Sequence, residues 1–223
     1  GVLESKPAIE LIDLLPEVRA ENRTNFSHIT EESVLREVLW LIHQPSTKSI
    51  QVQLALKVMP HLFLRPQNIR NLKWSYIDMS DQVITFPKGT MKIKALEFRL
   101  PFSSQVKSLF EETYVHRQSD TYVFAIGKKP LSENTTTMAL ANLKHPKTGA
   151  KLGRGVITSH GWRHTASTFL NGMQKFSPDA IEMQLSHMDK DRIRAVYNKA
   201  QYLDERRVMA QEWSDYLTSL IRG

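Results

Sequence analysis

Apolar residues keep helical spacing over most of this 223-residue chain, then change to a period of two between Trp74 and Phe102. Side chains share a face every 3.6 residues in a helix and every second residue in a strand, so the two patterns cannot belong to one element. Val34, Leu35, Val38, Leu39, Leu41 and Ile42 predict a first helix, capped by Thr30 with Glu31 and Glu32 in its first turn. Ser46–Thr47 predicts the start of a second, through Ile50, Leu54, Leu56 and Val58, kinked or ended by Pro60. Pro66 suits the first turn of a short third. Val83–Phe86 and Phe98–Phe102 predict strands around the turn signal Pro87-Lys88-Gly89-Thr90.

Helical character returns over residues 103–117, and Tyr122–Phe124 reads as a short extended piece. Further helices are expected from Ser132 to about Leu143, after Ser159, at Pro178, and at Asp189 or Asp191. Leu203–Leu220 forms a last amphipathic helix whose stripe of Trp213, Tyr216 and Leu217 suits this domain's own core or a neighbouring protomer. The expected fold is mainly α with a small antiparallel three-stranded β-sheet. Residues 1–24 read as a linker and entry segment, residues 25–223 as one domain. The missing initiator Met reads as a piece of a longer protein.

Net charge is +7 with a pI near 9.6, which favours a polyanionic partner. Its distribution is more telling: residues 60–107 hold eight Lys/Arg against three acids, and residues 128–163 hold seven against one. The absence of cysteine excludes a disulfide framework, a thiolate metal site and a cysteine nucleophile. No apolar run approaches membrane-spanning length, and the first residues do not resemble a signal peptide.

The basic regions contain an ordered set of chemically distinct groups: Arg65, Lys92, His160, Arg163, His187 and Tyr197. In His160-Gly-Trp-Arg163 the i, i+3 spacing puts both side chains on one face of a helix start, where an anion is favoured. Arginine offers paired donors to phosphate oxygens, and histidine can take a hydroxyl proton near neutral pH. Tyr197 is a weak nucleophile unless nearby cations stabilise its phenolate. Each residue also has a plainer reading: Arg163 as a surface ion-pair residue, His160 as a cap, Arg65 as a helix-end residue, Lys92 as a solvated lysine, Tyr197 as a core tyrosine. Only the ordered set argues for chemistry. Lys88 and Lys94 rival Lys92 in the hairpin, and Arg70 suits a phosphate backbone or solvent. His164 lies about 100° around the helix from Arg163 and reads as structural. Tyr202 is the rival tyrosine.

This set, with the stretches LFLRPQNIRNLKWSYID, TSHGWRHTASTFLN and SPDAIEMQLSHMDKDRIRAVYNKAQYLDERRVMAQEWSDYL, resembles the catalytic domain of the tyrosine recombinases, or phage integrases, of enterobacterial prophage and pathogenicity-island type. The resemblance implies a DNA breaking-rejoining fold and site-specific recombination through a 3′-phosphotyrosyl intermediate at Tyr197. It implies that Arg65 and Arg163 clamp the scissile phosphate, Lys92 protonates the leaving 5′ oxygen, His160 assists proton transfer and His187 hydrogen-bonds the phosphate. Arg70, Lys88 and Lys94 would contact the flanking DNA. No metal and no other cofactor would be needed. Partners would be double-stranded DNA attachment sites, a homotetramer on DNA in the full-length protein, and accessory bending or directionality factors. The fragment alone would be monomeric, and the setting the bacterial cytoplasm and nucleoid. Two departures stand out: Asn68 holds a place where the family usually has an acid, and the hairpin lacks a histidine that many relatives carry. The alternatives are a catalytically inactive DNA-binding remnant and a type IB topoisomerase-like relaxing enzyme.

Overall fold

A computed structural model describes residues 26–91, 97–153, 155–186 and 202–222. Its helices are α1 (Glu32–His43), α2 (Ile50–Leu62), α3 (Pro66–Arg70), α4 (Ser104–Val115), α5 (Thr135–Ala141), α6 (Gly161–Met173), α7 (Pro178–Gln184) and α8 (Leu203–Arg222). Strands β1 (Ile77–Asp78), β2 (Val83–Phe86) and β3 (Phe98–Pro101) form an antiparallel sheet in the order β1-β2-β3, with Ile84 opposite both Ile77 and Leu100. Tyr122 bridges to Lys73, and just beyond it β4 (Ala125–Ile126) and β5 (Lys129–Pro130) form a ribbon that the periodicity does not reveal. Gly127 takes φ +59° in its turn, a conformation open to glycine at little cost.

The core is built around α2, which packs against α1, α4, α5, α6 and α8. That explains its almost unbroken burial, including the polar Gln51, which donates to His116 O at 2.7 Å and accepts from Ala125 N. Pro60 does not stop this helix. It lies in the last turn, and the helix closes two residues later, where Phe63 turns left-handed at φ +56°. The Pro60 carbonyl, left over as at any helix end, accepts from the Trp213 indole at 2.9 Å. The stripe on α8 therefore faces this domain's own core: Trp213 and Leu217 are fully buried, and the Tyr216 hydroxyl donates to Glu32.

Several helix starts differ from expectation because the caps are not the nearest hydroxyl residues. Glu31, not Thr30, precedes α1; α2 begins at Ile50 after Ser49; Asn134, not Ser132, precedes α5. Ser159 is buried instead of capping α6: its hydroxyl donates to Thr136 at 3.0 Å and accepts from Thr137 at 3.1 Å, so it fastens α5 to the lead-in of α6. Ser103 before α4 and Ser177 before α7, which were not singled out in the sequence, do accept from the backbone. The helix expected at Asp189 or Asp191 lies outside the described residues.

The segment before α1 lies across the start of α6. Thr158 N donates to Ser27 O at 3.1 Å, and Ile29 N donates to Thr165 Oγ1 at 2.9 Å. A Cβ on Gly161 would sit 2.0 Å from Ser27 O and 3.0 Å from its carbonyl carbon. Glycine thus permits a backbone approach that no other residue allows.

Two stability predictions follow from this packing. An alanine replacing an unconstrained helical glycine stabilises by about 0.5–1 kcal/mol. Gly161→Ala should instead destabilise by about 1–3 kcal/mol, the usual range for overpacking, as read from the urea midpoint; unchanged stability would contradict the close approach. The second concerns His61, which is buried beside Ser214 (Nδ1 to Oγ 2.9 Å) and whose pKa burial pushes down to about 4. The unfolded chain takes up this proton below about pH 6.5, while the folded chain resists until about pH 4. Stability should therefore be complete above pH 6.5 and fall across that window, by about 3 kcal/mol from this group. His61→Gln should flatten that part of the urea-midpoint profile.

Candidate active site

The site is assembled at two helix ends. After α2 closes at Phe63, Leu64 leads into Arg65, and Pro66 opens α3. A residue before proline is steered to extended backbone, and Arg65 has φ −65°, ψ 147°. The side chain is thereby turned out of the core mouth, half-buried, and its Nη1 donates to Ser186 Oγ at 2.9 Å. Among the described residues this is its only hydrogen bond. The remaining donors of its guanidinium fork are open to a ligand.

Arg163, one turn into α6, is 4% exposed. Its Nη1 donates to Phe63 O, and its Nη2 donates to Leu185 O at 2.6 Å. Phe63 and Leu185 are the C-caps of α2 and α7. Helix C-termini carry partial negative charge, so two helix ends hold this cation. Burial, and then the neighbouring Arg65, pushes Arg163 down to about 10, with Glu182 pulling the other way; burial likewise lowers Arg65. Both stay charged at neutral pH. The pair is a concentration of positive charge, one member fixed by protein carbonyls and one presenting a half-exposed fork.

His160 is the N-cap residue of α6, with its ring stacked on Phe26 at 4.1 Å between centroids. Its carbonyl accepts from Arg163 N, so ring and guanidinium leave one helix turn together. His164 is exposed, its ring 5.8 Å from that of His160 and 5.6 Å from that of His28. Tyr202 donates to Asp179 at 3.1 Å at the start of α8.

Arg65, His160 and Arg163 are thus brought to the ends of α2, α6 and α7. Lys88 is exposed in the turn after β2, where Thr90 N and Oγ1 both donate to Pro87 O. Arg70 ends α3 half-buried, and among the described residues its Nε has no hydrogen-bond partner. Lys92, Lys94, His187 and Tyr197 lie outside the described residues. Asn68, on α3, lines a cleft of ≈ 240 Å³ with Asn71, Tyr76, Thr90 and Tyr122, between α3 and the β2–β3 turn. The residues that support the arginines were not singled out in the sequence: the Phe63 and Leu185 carbonyls, and Ser186, which turns left-handed at φ +52°. Their only sequence signal is adjacency to residues already chosen. Non-glycine residues in this region carry strain of about 1–3 kcal/mol and tend to mark functional sites.

Comparison with known proteins agrees with this geometry. The phage integrase family model matches residues 30–203. Prophage integrase IntZ of Escherichia coli K12 is 34% identical over 177 residues, covering 78% of this chain and 42% of IntZ. The integrase of Shigella phage Sf6 is 33% identical over 178 residues, covering 78% and 44%. The chain therefore spans less than half the length of these relatives. Among solved structures, the Tn1549 transposon integrase in complex with transposon right end DNA superposes with a TM-score of 0.58 at 14% identity, over 81% of this chain and 67% of that one. A lambda integrase tetramer bound to a Holliday junction gives 0.55 at 16% identity, over 84% and 51%. The fold is that of a tyrosine recombinase catalytic domain, and the chain belongs to the phage integrase family, related to the enterobacterial prophage integrases.

Proposed function

We propose that residues 25–223 form the catalytic domain of a site-specific DNA recombinase that integrates or excises a prophage or genomic island, with residues 1–24 linking it to DNA-binding parts of a longer protein. One observation carries this reading: Arg65 and Arg163, far apart in sequence, meet at the Leu185–Ser186 turn, which leads directly to His187. Two fixed guanidinium groups suit a phosphate that gains charge in a transition state.

In the proposed reaction the Tyr197 oxygen attacks the scissile phosphorus. The bond to the 5′ oxygen breaks, leaving a 3′-phosphotyrosyl link and a free 5′-hydroxyl. Arg65 and Arg163 hold the non-bridging oxygens, and His187 donates a hydrogen bond to the phosphate. His160 takes the tyrosine proton, and Lys92 supplies one to the departing oxygen. A 5′-hydroxyl from the partner duplex reverses each step. Phosphodiester energy is kept in the phosphotyrosyl bond, so the reaction needs no ATP, and the fixed cations stabilise the charge. Arg70, Lys88 and Lys94 bind flanking phosphates. The substrate is double-stranded DNA at attachment sites in the bacterial cytoplasm, and the full-length protein works as a DNA-bound homotetramer with accessory factors. The relatives are integrases, which supports strand exchange over relaxation.

The decisive experiment incubates the full-length protein and this chain with a nicked suicide duplex bearing the attachment core, without added metal. A denaturation-resistant adduct should form, disappear in Tyr197→Phe and persist in Tyr202→Phe. Specific binding by the full-length protein with no adduct would point to an inactive DNA-binding remnant. This chain alone should bind DNA weakly, its affinity dropping about tenfold or more between 50 and 200 mM salt as phosphate contacts release counterions. Tight, salt-indifferent binding in a filter or anisotropy assay would contradict the phosphate-contact reading.

A further inference from the structure

Arg206, in the first turns of α8, is 1% exposed. Its Nε donates to Gln184 Oε1 and its Nη2 to Arg99 O, each at 2.8 Å. Its guanidinium lies 5.3 Å from the Phe98 ring centroid. Among the described residues no carboxylate pairs with it. Burial pushes its pKa down to about 9, so it remains charged at neutral pH. A buried cation without an acid opposes folding, and an apolar residue would fill such a position with less penalty. The charge calls for a role that packing does not supply.

Its partner identifies the role. The Gln184 nitrogen donates to Pro101 O at 3.3 Å, which turns its oxygen toward Arg206. Gln184 is the last residue of α7. The next two residues supply the Leu185 carbonyl to Arg163 and the Ser186 hydroxyl to Arg65. The start of α8 also grips the other end of α7: Glu205 accepts from Ser177 N at 2.6 Å and Ser177 Oγ at 3.0 Å, and Tyr202 donates to Asp179. Short α7 is therefore held at both ends by α8, with Arg206 at the end nearest the two arginines.

We infer that Arg206 is a positioning residue for strand cleavage: through Gln184 it fixes the turn that orients Arg65 and Arg163 on the scissile phosphate. The inference rests on the reaction proposed above. Buried, Arg206 cannot touch DNA, so it acts on the cleavage step and not on binding. Small misplacement of transition-state donors costs rate steeply, whereas ground-state affinity is spread over many phosphate contacts.

The test uses full-length wild type, Arg206→Met, Arg206→Lys and Gln184→Met. Three quantities are read: the single-turnover rate of adduct formation at saturating suicide duplex, the Kd for the same duplex, and the urea midpoint. Arg206→Met and Gln184→Met should slow adduct formation by about 10- to 100-fold while leaving Kd within about threefold. Arg206→Lys, which keeps the charge but not the two-armed geometry, should recover only part of the rate. Should Arg206→Met not fold, Gln184→Met decides, since it removes the amide link and keeps the arginine. Unchanged rates in folded variants, or rate and affinity falling together with the folded fraction, overturn the positioning role. Wild-type protein that binds the duplex without forming adduct overturns the reaction itself, and this role with it.

Discussion

The arrangement depends on one buried cation. Arg163 is removed from water, and carbonyls from the ends of two different helices accept from it and help to make its charge tolerable. Those bonds join the C-terminus of the central helix α2 to the C-terminus of α7, 122 positions apart in the chain at Phe63 and Leu185. Neither α2 nor α7 can shift without leaving a buried charge unsatisfied. The guanidinium thus does for these helix ends what a side-chain cap does for a single helix.

Arg65 inherits its position from the same junction. Phe63 turns left-handed, its carbonyl accepts from Arg163, and two residues later Pro66 holds Arg65 extended. Two like charges are therefore kept close by backbone constraints on both sides. Arg65 lowers the proton affinity of Arg163, and an anion between them would relieve the repulsion. A site with two like charges held close is electrostatically uncomfortable when empty.

How legible all this is in the sequence depends on the range of the interaction. Most helices and the strands β2 and β3 follow from local periodicity, because burial of one face imposes a period on the residues that form it, whereas β1, two residues long, is too short to show one. The His160–Arg163 pairing is equally local. Caps were less legible: Thr30 and Ser159 have the right chemistry, yet Ser159 is taken by Thr136 and Thr137, from another helix. The supports of the site are non-local throughout. Phe26 meets His160, Arg65 meets Ser186, and Arg206 meets Arg99, and no spacing rule links residues more than 100 positions apart. Reading Arg206 as an exposed helical arginine would be natural from its charged neighbours Asp204, Glu205 and Arg207; only the packing of α8 against β3 and α7 shows it buried.

Asn68 illustrates how the fold bears on a departure from the family pattern. Three residues beyond Arg65, this side chain lines the cleft that α3 shares with Asn71, Tyr76, Thr90 and Tyr122. Asn68 is neutral, and its backbone N–H closes the first turn of α3 on Arg65 O at 2.8 Å, a bond indifferent to the side chain. The helix start is thus preserved without the carboxylate. The acid that opposes the loss of charge on Arg163 comes instead from α7, as Glu182. Glu182 is exposed, so water and salt screen it. An exposed acid offsets less of the site's positive charge than a buried one would. The orientation of the two arginines is accordingly carried by hydrogen bonds, which include those of Arg163 to the Phe63 and Leu185 carbonyls and that of Arg65 to Ser186.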